Sequence, residues 1–218
     1  MRTMFDTIAP RYDLVNRLMT FGIDRWWRRI AVRALSVAPG SVVVDLACGT
    51  GDLCCDLERA GIQPVGVDSS LGMLTHFRSV SPVVQGDGLA LGLRDSSLDG
   101  AISGFALRNF VALEPVFDEL SRVLRPGGRI ALLDVAVPKN IVLRETHGFY
   151  FNKVVPQLGA LLSDRDAYCY LPKSVAYLPP ADRILDMLDG AGFGSIRHRS
   201  LSGGITQLIT ATRRVIPR

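Results

Sequence analysis

From residue 41 onward, short apolar runs alternate with stretches of helical periodicity. Residues 41–46, 63–68, 82–86, 98–104 and 129–135 are near-continuous β-branched and apolar runs, the pattern of parallel strands buried on both faces. Between the fourth and fifth runs, Leu113, Val116, Phe117, Leu120, Val123 and Leu124 recur at helical spacing, and Pro126-Gly127-Gly128 stops that helix and turns the chain into the fifth strand. The chain ends in a predicted helix over 181–191, closed by Gly192, and two strands over 195–199 and 205–212. Repeated βα units with short joins predict an α/β, Rossmann-like sheet of seven mostly parallel strands, with ligands at the carboxyl ends of the strands.

Two segments break the alternation. Residues 1–37 read as a pair of aromatic, apolar helices ahead of the first strand, an N-terminal lid. Residues 138–180 carry Phe149, Tyr150, Phe151, Tyr168, Tyr170 and Tyr177, a substrate cap inserted before the last helix. The plainer alternative is that these aromatics bury the insertion's own helices. One domain spanning 1–218 is expected.

The chemistry concentrates at the first strand. It closes on Asp45, turns through Ala47-Cys48-Gly49-Thr50-Gly51, and a second strand ends in Asp68 about twenty residues later, the first half of a nucleotide-binding βαβ unit. Cys54 stands where a dinucleotide fingerprint needs its third glycine, and Asp52 would face the phosphates, so a pyrophosphate is disfavoured. No Gly-Lys-Ser/Thr follows, which excludes a Walker loop. A nucleoside without phosphates remains. Gly49 and Gly51 let the backbone approach it, and Asp68 is placed to accept from both ribose hydroxyls. S-adenosylmethionine fits, with Asp45 and the turn amides near its amino-acid end and Asp87 near its adenine amino group; a ligand-free structural turn is the alternative.

Composition narrows the partners. A chain of 218 residues, 48% hydrophobic and 21% charged, supports one sizeable α/β core. Its net charge of +4 is dispersed and demands no nucleic acid. Arg25-Trp26-Trp27-Arg28-Arg29 is one basic and aromatic cluster. Its plain reading is a helix with packed tryptophans and solvated arginines, and its other reading a lipid-facing patch. Cys48, Cys54, Cys55 and Cys169 have neither zinc spacing nor a secretory pattern, and His76, His147 and His198 join no cluster. Reduced thiols, no metal and a cytoplasmic location are expected. No apolar run approaches a membrane span, and the N-terminus has no signal-peptide layout.

Tyr12-Asp13-Leu14-Val15-Asn16-Arg17-Leu18-Met19-Thr20-Phe21-Gly22-Ile23-Asp24-Arg25-Trp26-Trp27 resembles the N-terminal motif of the ubiquinone/menaquinone biosynthesis C-methyltransferases. Phe105-Ala106-Leu107-Arg108-Asn109-Phe110, the run from Arg122 to Arg129, Tyr168-x-Tyr170-Leu171, Ala191-Gly192-Phe193 and Leu201-Ser202-Gly203-Gly204 extend the resemblance over nearly the whole chain. The closing hairpin is similar to that of class I S-adenosylmethionine-dependent methyltransferases. The family usually has His at position 24, Glu at 134, Ser at 136 and a His near 207–209, where this chain has Asp24, Asp134, Ala136 and Gln207-Leu208-Ile209.

The resemblance implies a cofactor cradle at Asp45, Ala47, Gly49, Thr50 and Gly51, at Asp68, Ser69 and Met73 beyond the second strand, and at Asp87 and Gly88 after the third. It implies C-methylation of a polyprenylated hydroquinone, demethylmenaquinol to menaquinol first and 2-methoxy-6-polyprenyl-1,4-benzoquinol as the alternative. Arg108, Asn109 and Tyr12 would be the catalytic residues. Arg108 would hold a proton-relaying water and stabilise the forming phenolate, because an arginine keeps its own proton. A weak peripheral membrane contact follows from such a substrate, and a homodimer stays open. Two rivals are an O- or N-methyltransferase of a soluble metabolite and a binding module with an idle pocket.

Overall fold

The computed structural model describes residues 2–138, 140–150, 174–175 and 177–215. Two helices, α1 (Arg2–Met19) and α2 (Asp24–Leu35), precede the first strand. There follow β1 (Val42–Leu46), α3 (Asp52–Arg59), β2 (Gln63–Asp68), the single turn α4 (Leu71–Leu74), β3 (Val83–Gln85), β4 (Leu98–Gly104), a 3-10 turn (Leu107–Asn109), α5 (Glu114–Val123) and β5 (Leu124–Val135). After α6 (Ile141–Phe149), the last helix α7 (Ala181–Gly190) leads to β6 (Phe193–Leu201) and β7 (Thr206–Arg213).

The seven strands lie in the order β3-β2-β1-β4-β5-β7-β6. The first five are parallel, and β7 runs antiparallel between β5 and β6. Apolar side chains cover both faces. On one face Phe117 and Leu120 of α5 and Ile184 and Leu188 of α7 pack against Val44, Leu46 and Ile130. On the other, Trp27, Ala31 and Leu35 of α2 and Leu53 and Leu57 of α3 pack against Val43, Ile102 and Ala131. These burials explain why the strands read as unbroken apolar runs rather than alternating ones.

The fifth strand begins earlier than its sequence suggests. Leu124 already pairs with Leu98, and a register shift then brings Arg129 opposite Gly100. Pro126-Gly127-Gly128 is therefore a bulge within β5 rather than a turn ahead of it, which Pro and Gly tolerate because a bulge needs no regular ladder bond. The strand order reverses between β1 and β4, so a crevice opens beyond their carboxyl ends. Helix α1 covers part of it, burying Ile8, Ala9, Val15 and Met19 against Met73.

The expected cap over 138–180 falls largely outside the described residues, Phe151, Tyr168, Cys169 and Tyr170 among them. Tyr150 closes α6 and donates from its hydroxyl to the Met19 carbonyl at 3.0 Å. Tyr177 is exposed. The Arg25–Arg29 cluster divides by face: Trp27 is buried and Trp26 half exposed.

Candidate active site

The crevice holds a cavity of about 600 Å³, walled by the ends of β1, β2, β3 and β4 and by α1. A second hollow of about 60 Å³ shares Tyr12, Ala47, Gly49, Gly104 and Phe105 with it and reaches Asp45. Two residues here are in the left-handed region without being glycine, Ala47 (φ 58°) and Phe105 (φ 62°). Such strain collects where surrounding structure fixes the backbone around a site. Gly49 is also left-handed (φ 56°), and a Cβ there would meet nothing within 4 Å. Its bare edge faces open space, as close approach to a ligand requires.

Gly51 serves differently. It has φ 85°, and a Cβ would lie 2.6 Å from the Phe77 ring; it lines neither hollow. Gly51→Ala is expected to cost about 2 kcal/mol from the left-handed backbone alone, with displacement of Phe77 in addition. A denaturation midpoint at the parental value would remove this role.

Asp68 ends β2 at the cavity wall. Its Oδ2 accepts the Gly49 N–H at 2.7 Å and its Oδ1 the Ser70 N–H at 2.8 Å, so the acid pins the glycine turn of β1 to its own strand. Burial raises its pKa, against the lowering effect of those backbone donors. Ser69, Met73, Asp87 and Gly88 line the same cavity. Asp87 turns its own loop by accepting the Leu89 N–H at 3.0 Å.

Asp45 is 1% exposed. Its Oδ2 accepts a hydrogen bond from the Cys54 thiol at 3.3 Å, and its Oδ1 has no partner among the described residues. Burial pushes its pKa to about 7, with the Cys54 bond and the Arg28 charge pulling the other way. The same burial, and the acid itself, keep Cys54 a thiol. A buried carboxylate oxygen without a donor is costly unless something positive reaches it. The amino-acid end of S-adenosylmethionine carries an ammonium, so this donor set fits that group.

Helix α1 is tied to the loops that shape the cavity. Asp6 Oδ1 accepts from the Ser70 hydroxyl at 2.6 Å and the Gly72 N–H at 2.8 Å. Asp13 accepts from the Thr50 hydroxyl at 2.8 Å and pairs with Arg78 at 2.8 Å. Arg78 and Arg28 also pair with Asp52, which explains that acid without any phosphate. Thr50 thus lines the smaller hollow while its hydroxyl is spent on Asp13. Phe5 and Tyr12, seven residues apart on one face of α1, both line the main cavity. Phe5 and Asp6 were not singled out from the sequence, although the spacing of Phe5 and Tyr12 is the signal that marks the inner face of the helix.

The three candidate catalytic residues are placed differently. Tyr12 and Asn109 line the main cavity. Burial raises the Tyr12 pKa, opposed chiefly by the Arg108 charge. Arg108 lies behind the wall and lines neither hollow. Its Nη1 pairs with Asp134, which is fully buried, and donates to the Phe105 carbonyl at 2.6 Å, while Nε donates to the Ser174 hydroxyl at 3.1 Å. Among the described residues, Nη2 meets no acceptor. Asp134 also accepts the Arg108 backbone N–H at 3.3 Å, so one carboxylate grips both ends of this residue. Two other departures from the family pattern make local contacts: Asp24 accepts from Thr20 at 2.8 Å and pairs with Arg28, and Gln207 joins His198 at 3.0 Å. No cluster of His, Cys, Asp and Glu suited to a metal occurs among the described residues.

Comparison with known proteins bears on the family and the fold. The ubiquinone/menaquinone biosynthesis C-methyltransferase UbiE of Syntrophotalea carbinolica is 41% identical, over 97% of this chain and 93% of that protein. A demethylmenaquinone methyltransferase of Mycolicibacterium paratuberculosis is 37% identical, again over 97% and 93%. Among solved structures, an S-adenosylmethionine-dependent methyltransferase of Thermotoga maritima, described as a possible histamine N-methyltransferase, superposes with a TM-score of 0.70. It is 18% identical and the match covers 98% and 99% of the two chains, so it bears on the fold alone: the class I methyltransferase fold. The pattern of the ubiE/COQ5 methyltransferase family matches residues 1–213, and the chain belongs to that family of enzymes.

Proposed function

We propose that the protein moves a methyl group from S-adenosylmethionine to a ring carbon of a polyprenylated hydroquinone, with demethylmenaquinol the preferred acceptor. The observation that carries this reading is the makeup of one cavity: nucleoside-type acids at the ends of β2 and β3 on one side, Tyr12 and Asn109 on the other, in a chain whose relatives are named for menaquinone methylation. The benzoquinol of the ubiquinone pathway is the second reading, because the 41%-identical relative is named for both quinones.

The donor would lie with its ribose at Asp68, its adenine toward Asp87 and its ammonium at the unpartnered oxygen of Asp45. When bound, it supplies a methyl group on a positively charged sulfur. The chain's own work is to align the ring carbon and make it electron-rich. A phenol with a pKa near 10 gives up its proton, here to a water held beside Arg108 that passes it to solvent, at neutral pH only if the phenolate is stabilised. Tyr12, its hydroxyl buried, keeps its proton and donates a hydrogen bond to that oxygen. Asn109 offers its amide from the wall. Arg108, whose charge already reaches the Tyr12 hydroxyl, stabilises the same anion electrostatically. Clamped by Asp134, it does so from a fixed place.

Methyl transfer to demethylmenaquinol, to the polyprenyl benzoquinol and to a panel of soluble phenols tests the reading directly. Transfer to the soluble phenols alone would overturn it. Asp68→Ala is expected to weaken donor binding by about 1–3 kcal/mol, the loss of a charge-assisted pair in a partly buried site, and calorimetry at parental affinity would exclude that role. An acceptor with a polyprenyl tail resides in a bilayer, so the protein would work as a weak, peripheral visitor to a membrane. No helix among the described residues is long and apolar enough to cross one.

A further inference from the structure

The corner between α1 and α2 exposes an unusual run of large apolar side chains. Leu14, Leu18 and Phe21, spaced four and three apart, are 53%, 44% and 78% exposed, and Ile23 and Trp26 continue the run at 44% and 50%. Single exposed apolar residues need no explanation, but a contiguous group marks a contact surface. Phe21 has φ 52°, and its ring lies 5.8 Å from that of Tyr150. Beside this corner, α2 presents Arg25, Arg29 and Arg33 at successive turns, all exposed. Among the described residues none of the three forms an ion pair. Arg28, on the inner side of the same helix, is held by both Asp24 and Asp52, so the inward arginine is neutralised while the outward row has no such partner among the described residues.

We infer that this corner is the docking surface for an anionic lipid bilayer, with Trp26, Phe21 and Leu18 entering the headgroup boundary and Arg25, Arg29 and Arg33 meeting the lipid phosphates. An aromatic and aliphatic edge flanked by cations suits that interface. Charge complementarity decides for a membrane surface: each cation near an anionic leaflet raises partitioning about fivefold, so the row together contributes about a hundredfold. The purpose of the surface rests on the hydroquinone reading. Helix α1 carries Phe5 and Tyr12 on the cavity side and Leu14 and Leu18 outside, so a tail in the bilayer and a ring in the cavity would lie on opposite sides of one helix.

The test separates docking from chemistry by using vesicles without quinone. The full chain is sedimented with phosphatidylglycerol–phosphatidylcholine vesicles and with phosphatidylcholine alone. Binding is expected to the anionic vesicles, with release by salt and a blue shift of tryptophan emission that Trp26→Phe removes. Replacing Arg25, Arg29 and Arg33 together by Gln should lower partitioning about a hundredfold, while single-turnover methyl transfer to a short-tailed, water-soluble hydroquinone stays parental. Equal binding by the triple variant, equal binding to neutral vesicles, or no binding at all would overturn the inference. So would a dimer in solution that shields Trp26 from iodide quenching, since a second copy would then cover the corner. Vesicle binding without methylation of any quinol would refute the substrate reading and leave the docking surface standing.

Discussion

Arg108→Ala is expected to lose both stability and turnover, for separate reasons. Asp134 is fully buried and Arg108 is its counter-charge; removing one member of such a pair strands the other and costs about 3–5 kcal/mol. If Arg108 also stabilises the phenolate, single-turnover transfer falls about a hundredfold or more, the usual loss for one preorganised group in a water-poor site. Donor affinity stays near parental, because the affected charge develops only as the ring carbon attacks. Two variants keep the effects apart. Arg108→Lys retains a cation for Asp134 but loses the fork that also reaches Phe105 and Ser174, so the fold largely recovers and the rate does not. Arg108→Met combined with Asp134→Leu replaces the pair by apolar volume, which folds well and remains slow. A parental rate in either folded variant would reduce Arg108 to architecture.

The second large effect concerns Asp45 and pH. Its pKa in the free protein stands at about 7, above the ordinary carboxylate value, so the folded chain holds a proton there that the unfolded chain releases. Asp45 therefore adds stability that is complete below about pH 4 and is lost as pH rises to 7, the sign for a raised acid. Asp45→Asn should remove that slope and make the protein more stable than the parent at pH 8, by a few kcal/mol. Donor binding runs the opposite way. An ammonium needs the ionised acid, so apparent affinity should fall about tenfold per unit below pH 7, with a proton released on binding. Calorimetry in buffers of different ionisation enthalpy measures that proton. A parental pH profile in Asp45→Asn would move the ammonium elsewhere.

What could be read from residues alone followed local rules. Strand ends, the glycine turn and the acids closing β1 and β2 all depend on patterns a few residues long, and Asp45, Gly49, Asp68 and Asp87 appear where those patterns put them. The ionic cluster did not. Asp13, Asp52, Arg28 and Arg78 come from four separate places, and nothing local says that they meet. The pairing of Arg108 with Asp134 across 26 residues was hidden for the same reason, although both positions had drawn notice singly. Gly51 carries a second constraint that its spacing does not show: besides its place in the glycine turn, it has no room for a Cβ beside the Phe77 ring. The early start of β5 was masked by Pro126-Gly127-Gly128, whose turn chemistry looks the same in a loop and in a bulge.

The polar ties of α1 have a kinetic side. Asp6 bonds to Ser70, two residues from Asp68, and Asp13 bonds to Thr50, beside Gly49. A movement of the helix would therefore disturb both loops at once, and with them the place proposed for the nucleoside. On the proposed reading, exclusion of water and assembly of the donor pocket would be one equilibrium rather than two. A donor exchange that lifted α1 would have to break both ties, and the time for that movement would then cap the rate of cycling, however quick the transfer itself became.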